Sequence, residues 1–166
     1  MAVEDIYYKL LANHDKGLQT CLQFIDCSKA FDTVDHEILF KKKEMNFGIR
    51  GIPLMLMKSY LSNRRQFTFV QNMASKINKI TCGVPQGSTL GPLFFIMYVN
   101  YLPKCSSFST KLYADDTYLC LAHSDLKQLK LMVNNELIKV DEWMHFNKLI
   151  VYKLCEIYIL SNGKNI

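Results

Sequence analysis

The sequence has no apolar run long enough to cross a membrane. The longest, GPLFFIMYV at 91–99, is far shorter than the roughly 20 residues of a spanning helix. The N-terminal stretch MAVEDIYYKLLANHDKG mixes acidic, basic and polar positions, unlike a secretory signal peptide. These absences predict an intracellular protein with no membrane partner.

The six cysteines form no Cys-x-x-Cys pair, which argues against a zinc site or a disulfide framework. They stand far apart and mostly within apolar runs, so we expect reduced, buried thiols. The sequence also lacks repeats, low-complexity segments and an interdomain linker, and its 166 residues suit a single domain with a real core.

The composition is that of a folded chain, with 49% hydrophobic and 21% charged residues. A net charge of +5 is compatible with a polyanionic partner but does not specify one.

Hydrophobic periodicity and turn residues predict alternating helices and strands. The helix predicted over 35–45 has Asp35 near its N-cap and lysines 41–43 toward its C-terminus, as the helix dipole favours. The long helix predicted from 124 has Ser124 as its N-cap. Its apolar stripe has spacings of three or four residues and consists of Leu126, Leu129, Val133, Leu137, Val140 and Met144. The sequence predicts an α+β fold, an antiparallel sheet with helices packed on one face. The predicted elements are a helix over 3–13, a strand over 22–25, helices over 35–45 and 54–61, a hairpin turning near 73–75, a helix reaching about 102 and capped by Ser88 or Thr89, a hairpin over 111–120, a long helix from 124 and one or two strands over 148–160.

Two adjacent carboxylates, Asp115 and Asp116, stand in the middle of the hairpin KLYADDTYLC. Neighbouring aspartates in an apolar setting repel each other and are costly to desolvate unless a cation binds them. A divalent metal is the cation that this pattern indicates. The alternative is a plain solvated turn, which Asp-Asp also favours.

A third carboxylate, Asp26, ends the predicted strand over 22–25, where an aspartate can also be a simple loop former. If that strand lies beside the acidic hairpin, three carboxylates converge at one edge of a sheet. Such an oxygen-rich group suits two Mg²⁺ or Mn²⁺ ions rather than zinc. Two such ions can clamp the attacking and leaving oxygens of a phosphoryl transfer.

Two loops carry further candidate contacts. Pro-Gln-Gly-Ser places Gln86 in a glycine loop in which Gly87 and Gly91 permit close backbone approach, although alone it would be only a turn. Arg64 and Arg65 could contact a phosphate backbone or lie in a solvated loop.

Four strings in order, FIDCSKAFDTVDHEIL, GIRGIPLMLMKSYLSNRRQ, GVPQGSTLGPLFFIMYVN and LYADDTYL, resemble the reverse transcriptase palm of non-LTR retrotransposons of the LINE and jockey-like group. The resemblance covers about residues 1–150. It implies an RNA-directed DNA polymerase that uses deoxynucleoside triphosphates and an RNA or DNA template with a primer. The fold would be that of a polymerase palm.

The resemblance also implies roles for individual residues. Asp26, Asp115 and Asp116 would be the catalytic, metal-binding carboxylates, and the Cys27 carbonyl would complete the metal shell. Tyr113, Arg64 and Arg65 would contact primer or template. The residues implied to contact the incoming nucleotide are Lys29, Ala30, Phe31, which would exclude a 2′-hydroxyl, Gln86 and Gly87.

The chain departs from the family pattern in places. Asn100-Tyr101 replaces Asn-Asp, and Tyr152, Cys155 and Glu156 stand where the family has Asn, Lys and Thr. That lysine is thought to protonate pyrophosphate, and Lys153 is two positions away from it. Loss of a general acid slows a reaction by about 10²- to 10⁴-fold.

The resemblance further predicts an incomplete right-hand polymerase, a single partial domain over 1–166 comprising the palm and a remnant of the fingers. The missing fingers, thumb and endonuclease would belong to a longer polyprotein acting in cytoplasm and nucleus. Three hypotheses follow: a polymerase palm, a catalytically inactive remnant that at most binds nucleic acid or metal, and a generic α+β domain with an acidic turn.

Overall fold

The computed structural model describes residues 2–27, 29–113, 116–154 and 158–160. The chain divides into two compact units, Met1–Ser28 with Tyr101–Ile166 and Lys29–Asn100. In chain order the elements are α1 (Ala2–Asp15), β1 (Gln19–Cys27), α2 (His36–Phe47), α3 (Gly51–Leu61), β2 (Arg65–Gln66), β3 (Phe69–Val70), β4 (Met73–Ala74), β5 (Asn78–Lys79), α4 (Leu90–Val99), a 3-10 turn (Leu102–Lys104), β6 (Ser109–Tyr113), β7 (Asp116–His123), α5 (Leu126–Phe146), β8 (Val151–Leu154) and β9 (Tyr158–Leu160).

The first unit is built on an antiparallel sheet in which β1 is central. Its strand order is β6-β7-β1, and both β8 and β9 pair with the other edge of β1. The apolar residues of β1 favour its central position in the sheet, because a central strand is largely buried. The predicted α+β fold with an antiparallel sheet is confirmed.

Helices α1 and α5 cover this sheet. Ile6 and Leu10 of α1 pack against Leu22, Tyr118 and Cys120. Helix α5 contacts β1 and β7. Successive residues of β1 are buried, so both faces of this central strand are shielded from solvent.

The predicted stripe of α5 is largely confirmed by burial, but its predicted cap is wrong. Leu129, Val133, Val140 and Met144 are buried, as a period of 3.6 requires. The N-cap is Asp125, whose Oδ1 accepts from the Gln128 backbone N–H at 2.8 Å. Serine and aspartate are both good N-cap residues, so the sequence alone does not distinguish Ser124 from Asp125. The backbone conformation places Asp125 at the N-cap position.

The second unit packs α2 against α3 and α4. Asp35 caps α2 as predicted, because its Oδ1 accepts from the Ile38 backbone N–H at 3.0 Å. The prediction that lysines 41–43 interact with the C-terminal end of the helix dipole is wrong, because the last turn of α2 has no basic residue. Lys43 is instead fully buried, with its Nζ 3.2 Å from the centre of the Phe94 ring.

The two lysines of α2 that face inward lie in an apolar environment. Lys43 Nζ is also 3.3 Å from Met57 Sδ. Lys42 Nζ donates to the Tyr98 carbonyl and lies 4.5 Å from the centre of its ring. Burial lowers the pKa of Lys42 and of Lys43 to about 8.

The hairpin of the second unit turns earlier than predicted. Val70 pairs with Met73, which leaves a two-residue turn at Gln71 and Asn72 with φ of 47° and 63°. The residues 73–75 predicted to form the turn lie after it. Two left-handed residues suit a tight hairpin turn, and asparagine tolerates that conformation better than most residues.

The five described cysteines are free, as predicted. Cys21, Cys27 and Cys120 are buried, but Cys82 is exposed and Cys105 is half-buried. Cys155 lies outside the described residues. Burial raises the pKa of the Cys21 thiol to about 11. Within the described ranges, no helix is both long and apolar enough to span a bilayer.

Candidate active site

Asp26 and Asp116 are direct partners on adjacent strands of the first unit. Asp26 is the residue before last of β1, Asp116 is the first of β7, and their Cα atoms are paired in the antiparallel register. Directly opposite residues have Cβ atoms about 4.5–5.5 Å apart. Two of the three predicted carboxylates are therefore brought together, and Asp115 lies outside the described residues.

Asp26 and Asp116 are exposed although their described neighbours along each strand are buried. Ile25 and Cys27 flank Asp26 and are buried, as is Thr117, which follows Asp116. Like charges directly opposite each other across two strands are destabilising. Exposed carboxylate oxygens at this position suit a hard divalent cation, which would remove the repulsion.

The register position of Asp26 and Asp116 continues onto the two neighbouring strands, β6 and β8. Tyr113, the last residue of β6, pairs with Asp116 and is 67% exposed. On the other side Lys153 is the β8 residue in register with Asp26. Tyr113, Asp116, Asp26 and Lys153 thus occupy successive register positions on four strands.

Cys27 ends β1 next to this row. The register of β1 and β8 shifts between Asp26 and Cys27, and Cys27 pairs with Val151. Such a bulge re-aims the backbone locally. Among the residues that the structure describes, no group of three or more His, Cys, Asp or Glu side chains is arranged to hold a metal, Asp115 not being among them.

All five residues predicted to contact a nucleotide lie in loops of the second unit, and one of them is buried. Lys29 is exposed with a φ of 49°, and Ala30 is buried. Phe31 is half-buried, and its ring centre lies 4.9 Å from that of Phe95 on α4. Gln86 and Gly87 are exposed in the loop before α4.

Hydrogen bonds join the 29–36 segment to the loop that holds Gln86. The Val84 N–H donates to the Phe31 carbonyl at 2.7 Å, and the Gly83 N–H donates to the Val34 carbonyl at 2.8 Å. Gln86 Nε2 donates to Asp32 Oδ1 at 2.9 Å. Asp32 was not predicted as a site residue, although it stands in the FIDCSKAFD string six positions after Asp26.

Gly87 of this loop and Gly91 in the first turn of α4 are needed for different reasons. A Cβ on Gly91 would lie 2.8 Å from the Pro85 carbonyl oxygen, which confirms the predicted close approach. A Cβ on Gly87 would meet no atom within 4 Å, but its φ is +73°. Ser88 caps the helix start, because its Oγ accepts from the Gly91 N–H at 3.0 Å.

A cavity of about 620 Å³ lies in the second unit beside this loop. Arg64, Arg65 and Lys79 line it together with Asp32 and Gln86. Arg64 is held by Tyr60, whose carbonyl accepts from Arg64 Nε at 2.6 Å. The cavity therefore presents several cations and one carboxylate that is already hydrogen-bonded.

A five-stranded antiparallel sheet with paired carboxylates at a strand end defines a polymerase palm-like fold. The sequence profile of the family "Reverse transcriptase (RNA-dependent DNA polymerase)" matches residues 3–153. The chain belongs to the reverse transcriptase family.

Similar curated proteins come from mobile elements of Drosophila melanogaster. The chain is 40% identical over 80 residues to a probable RNA-directed DNA polymerase from transposon BS, a match that covers 48% of this chain and 9% of that protein. It is 35% identical over 80 residues to the RNA-directed DNA polymerase from mobile element jockey, covering 48% and 8%. The match spans about a tenth of the length of these relatives.

Solved structures of telomerases have a similar fold. Telomerase from Candida albicans, in complex with a TWJ fragment of telomeric RNA, matches with a TM-score of 0.65 and 16% identity over 98% of this chain and 31% of that one. Apo telomerase from Candida tropicalis matches with a TM-score of 0.65 and 13% identity over 98% and 36%.

Proposed function

We propose that this chain carries the catalytic carboxylates of an RNA-directed DNA polymerase, which joins a deoxynucleotide to the 3′-hydroxyl of a primer. The observation that supports it best is the pairing of Asp26 with Asp116 at the exposed end of β1 and β7. The family match spans residues from both compact units. We therefore propose one partial reverse transcriptase domain over 1–166.

Members of the family use divalent metal ions, and the residues present fit such ions. Asp26 and Asp116 offer exposed oxygen donors, and Asp115 precedes the second of them. Oxygen ligands suit Mg²⁺ or Mn²⁺, and we propose two ions held by these aspartates with the Cys27 carbonyl. When bound, such ions stabilise the attacking and leaving oxygens of the transfer.

The loops of the second unit supply the proposed nucleotide contacts. Phe31 is fixed against Phe95, which suits a rigid wall that excludes a 2′-hydroxyl. Gln86 is fixed by Asp32, so its amide is preorganised for a nucleotide or template base. Lys29, Ala30 and Gly87 would lie along the same nucleotide.

The proposed nucleic-acid contacts are Tyr113 for the primer end and Arg64 and Arg65 for the backbone, on an RNA or DNA template. Tyr113 is in register with Asp116, which suits a primer end held beside the carboxylates. Both arginines line the cationic cavity. A polymerase of a mobile element meets such strands in cytoplasm and nucleus, where we propose that it acts.

Primer extension on an RNA template tests the activity directly. The reaction contains Mg²⁺ or Mn²⁺ and the four deoxynucleotides, with an Asp115→Ala, Asp116→Ala double variant alongside. Extension that disappears in the variant is the expected result. A folded chain without product would favour the inactive remnant.

A metal-binding measurement separates the site from the activity. Mg²⁺ or Mn²⁺ should raise the melting temperature of the protein but not of Asp26→Asn or Asp116→Asn, because each variant lacks one ligand. Asp141→Asn, an exposed aspartate on α5, is the matched control and should respond like the parent. An equal metal response in all four proteins would contradict the proposed site.

A further inference from the structure

The hairpin over residues 65–79 is exposed along its whole length. Every residue in this range is exposed, and its apolar side chains include Phe67 at 57% and Phe69 at 63%. Val70, Met73 and Ile77 are exposed as well. A two-stranded ribbon with no buried face is marginally stable by itself. An interaction partner would therefore stabilise this hairpin.

The base of the hairpin places two cations opposite each other. Arg65 and Lys79 are Cα partners in the β2–β5 pair, and both line the cationic cavity with Arg64. Like charges directly across a two-stranded ladder repel. An anion bound between them would convert this repulsion into attraction, and the bidentate geometry of arginine suits phosphate.

The segment of the chain around the hairpin carries no negative charge, and the cavity beside its base is lined by one carboxylate, Asp32, against three cations. Between Glu44 and Asp115 there are eight lysines and arginines and no aspartate or glutamate. One carboxylate, which already accepts a hydrogen bond from Gln86, leaves an excess of positive charge at the base of the hairpin, and an external anion would neutralise it.

Aromatic residues follow the basic base of the hairpin at alternate positions. Arg65 is in β2, Phe67 follows that strand and Phe69 begins β3, and all three side chains are exposed. A positive groove next to exposed aromatic rings is the usual means of binding a single strand, whose phosphates pair with the cations and whose bases stack on the rings.

We propose that the hairpin over 65–79 binds single-stranded nucleic acid, with Arg65 and Lys79 on one phosphate and Phe67 and Phe69 stacked against adjacent bases. This binding site would hold the template or primer strand of the proposed polymerase, so its natural ligand rests on the proposed function. It requires no nucleotidyl transfer. Binding measured in EDTA therefore fails or succeeds independently of catalysis.

The first experiment measures the affinity for a fluorescent, unstructured 16-nucleotide RNA by anisotropy in EDTA. Phe67→Ala and Phe69→Ala should each weaken binding by about 5- to 100-fold, the range for a lost stacked base. The Arg65→Gln, Lys79→Gln double variant should lower the slope of log affinity against log salt by roughly 0.7, because the contact with one phosphate is lost. A duplex of the same length should bind more weakly, because its bases cannot reach the rings.

Matched variants separate stacking from apolar contact and from charge alone. A Phe67→Tyr, Phe69→Tyr variant should retain affinity, whereas Phe67→Leu, Phe69→Leu should lose it like the alanine variants. Phe146→Ala, on a ring that is 77% exposed on α5, should leave binding unchanged. The Lys127→Gln, Lys130→Gln variant on the same helix is the matched charge control.

Three results would overturn the proposal. The parent protein could fail to bind the RNA, the leucine variant could bind as well as the parent, or the hairpin variants could match the α5 controls. A fourth contrary result is self-association of the parent that the phenylalanine variants abolish without a change in RNA affinity, since the hairpin would then contact a second copy. Circular dichroism of each variant shows that it is folded, which is expected because all the substituted residues are exposed.

Discussion

Gln86 donates from Nε2 to Asp32 Oδ1 at 2.9 Å, across a separation of 54 residues in the chain. Asp32 thereby fixes the side-chain amide of Gln86, the residue that we propose contacts the incoming nucleotide. We expect Asp32→Ala to raise KM for deoxynucleotides in primer extension by roughly 2- to 10-fold, the equivalent of one net hydrogen bond. The effect on kcat should be smaller.

Two comparisons show whether Asp32 acts through Gln86. Asp32→Asn keeps an oxygen acceptor at the same place and should behave like the parent. In a Gln86→Ala background, Asp32→Ala should have no further effect, because the shared interaction is already lost. Equal effects in both backgrounds would show that Asp32 acts in another way.

Lys43 is a fully buried cation whose contacts are a ring and a thioether. Its lowered pKa corresponds to roughly 3 kcal/mol of unfavourable desolvation at neutral pH. The contact with Phe94 returns about 2 kcal/mol at a desolvated site. Lys43→Met should therefore stabilise the protein by about 1 kcal/mol in chemical denaturation at pH 7.

The stabilisation by Lys43→Met should shrink as the pH rises. The folded pKa of Lys43 is about 8 against an ordinary value of 10.5, so between these values the unfolded chain binds more protons and the parent gains stability with pH. At pH 10 the variant should have little advantage. Lys41→Met, an exposed neighbour, is the control and should change neither stability nor its pH dependence.

Asp125 caps α5 through the Gln128 backbone N–H, and this bond lowers the pKa of its carboxyl. Asp125→Ala should lower the melting temperature at pH 7, because a helix N–H loses its acceptor. Since the folded pKa lies below the ordinary value near 4, the stabilisation is present above that value and is lost as the pH falls through the folded pKa. Ser124→Ala should have little effect on the melting temperature. A larger loss in Ser124→Ala than in Asp125→Ala would show that Asp125 is not the N-cap of α5.

Local sequence patterns predicted the elements that carry the carboxylates. The apolar residues before Asp26 and the alternation around Asp116 each identify a strand without knowledge of its partner. The N-cap of α2 at Asp35 also depends only on nearby residues, because its partner Ile38 is three positions away. These features depend on residues within a few positions of one another, so they could be predicted from the sequence.

Features that depend on distant residues or on single dihedral angles were missed. Lys43 was predicted to interact with the helix dipole. Its burial could not be predicted locally, because it depends on contact with Phe94 of another helix. The bond between Asp32 and Gln86 likewise joins two loops that are distant in the chain. The hairpin turn was misplaced because the left-handed conformation of Gln71 and Asn72 is not specified by a glycine.

Gly91 and Gly87 allow a direct comparison of steric overlap with backbone strain. In Gly91→Ala the new Cβ would lie 2.8 Å from the Pro85 carbonyl oxygen and 3.0 Å from Ser88 Oγ. The first of these is a backbone atom, so the loop that holds Gln86 must shift. We expect a loss of roughly 1–3 kcal/mol in the free energy of unfolding, together with weaker deoxynucleotide binding.

Gly87→Ala meets no such obstacle and should cost only the left-handed conformation, about 1–2 kcal/mol. Gly87→Asn should recover part of that loss, because asparagine tolerates a positive φ better than alanine does. No asparagine rescue is expected at Gly91, where space rather than φ is limiting. Urea denaturation of the four variants measures these differences, and recovery by Gly91→Asn would show that overlap with Pro85 is not what requires glycine there.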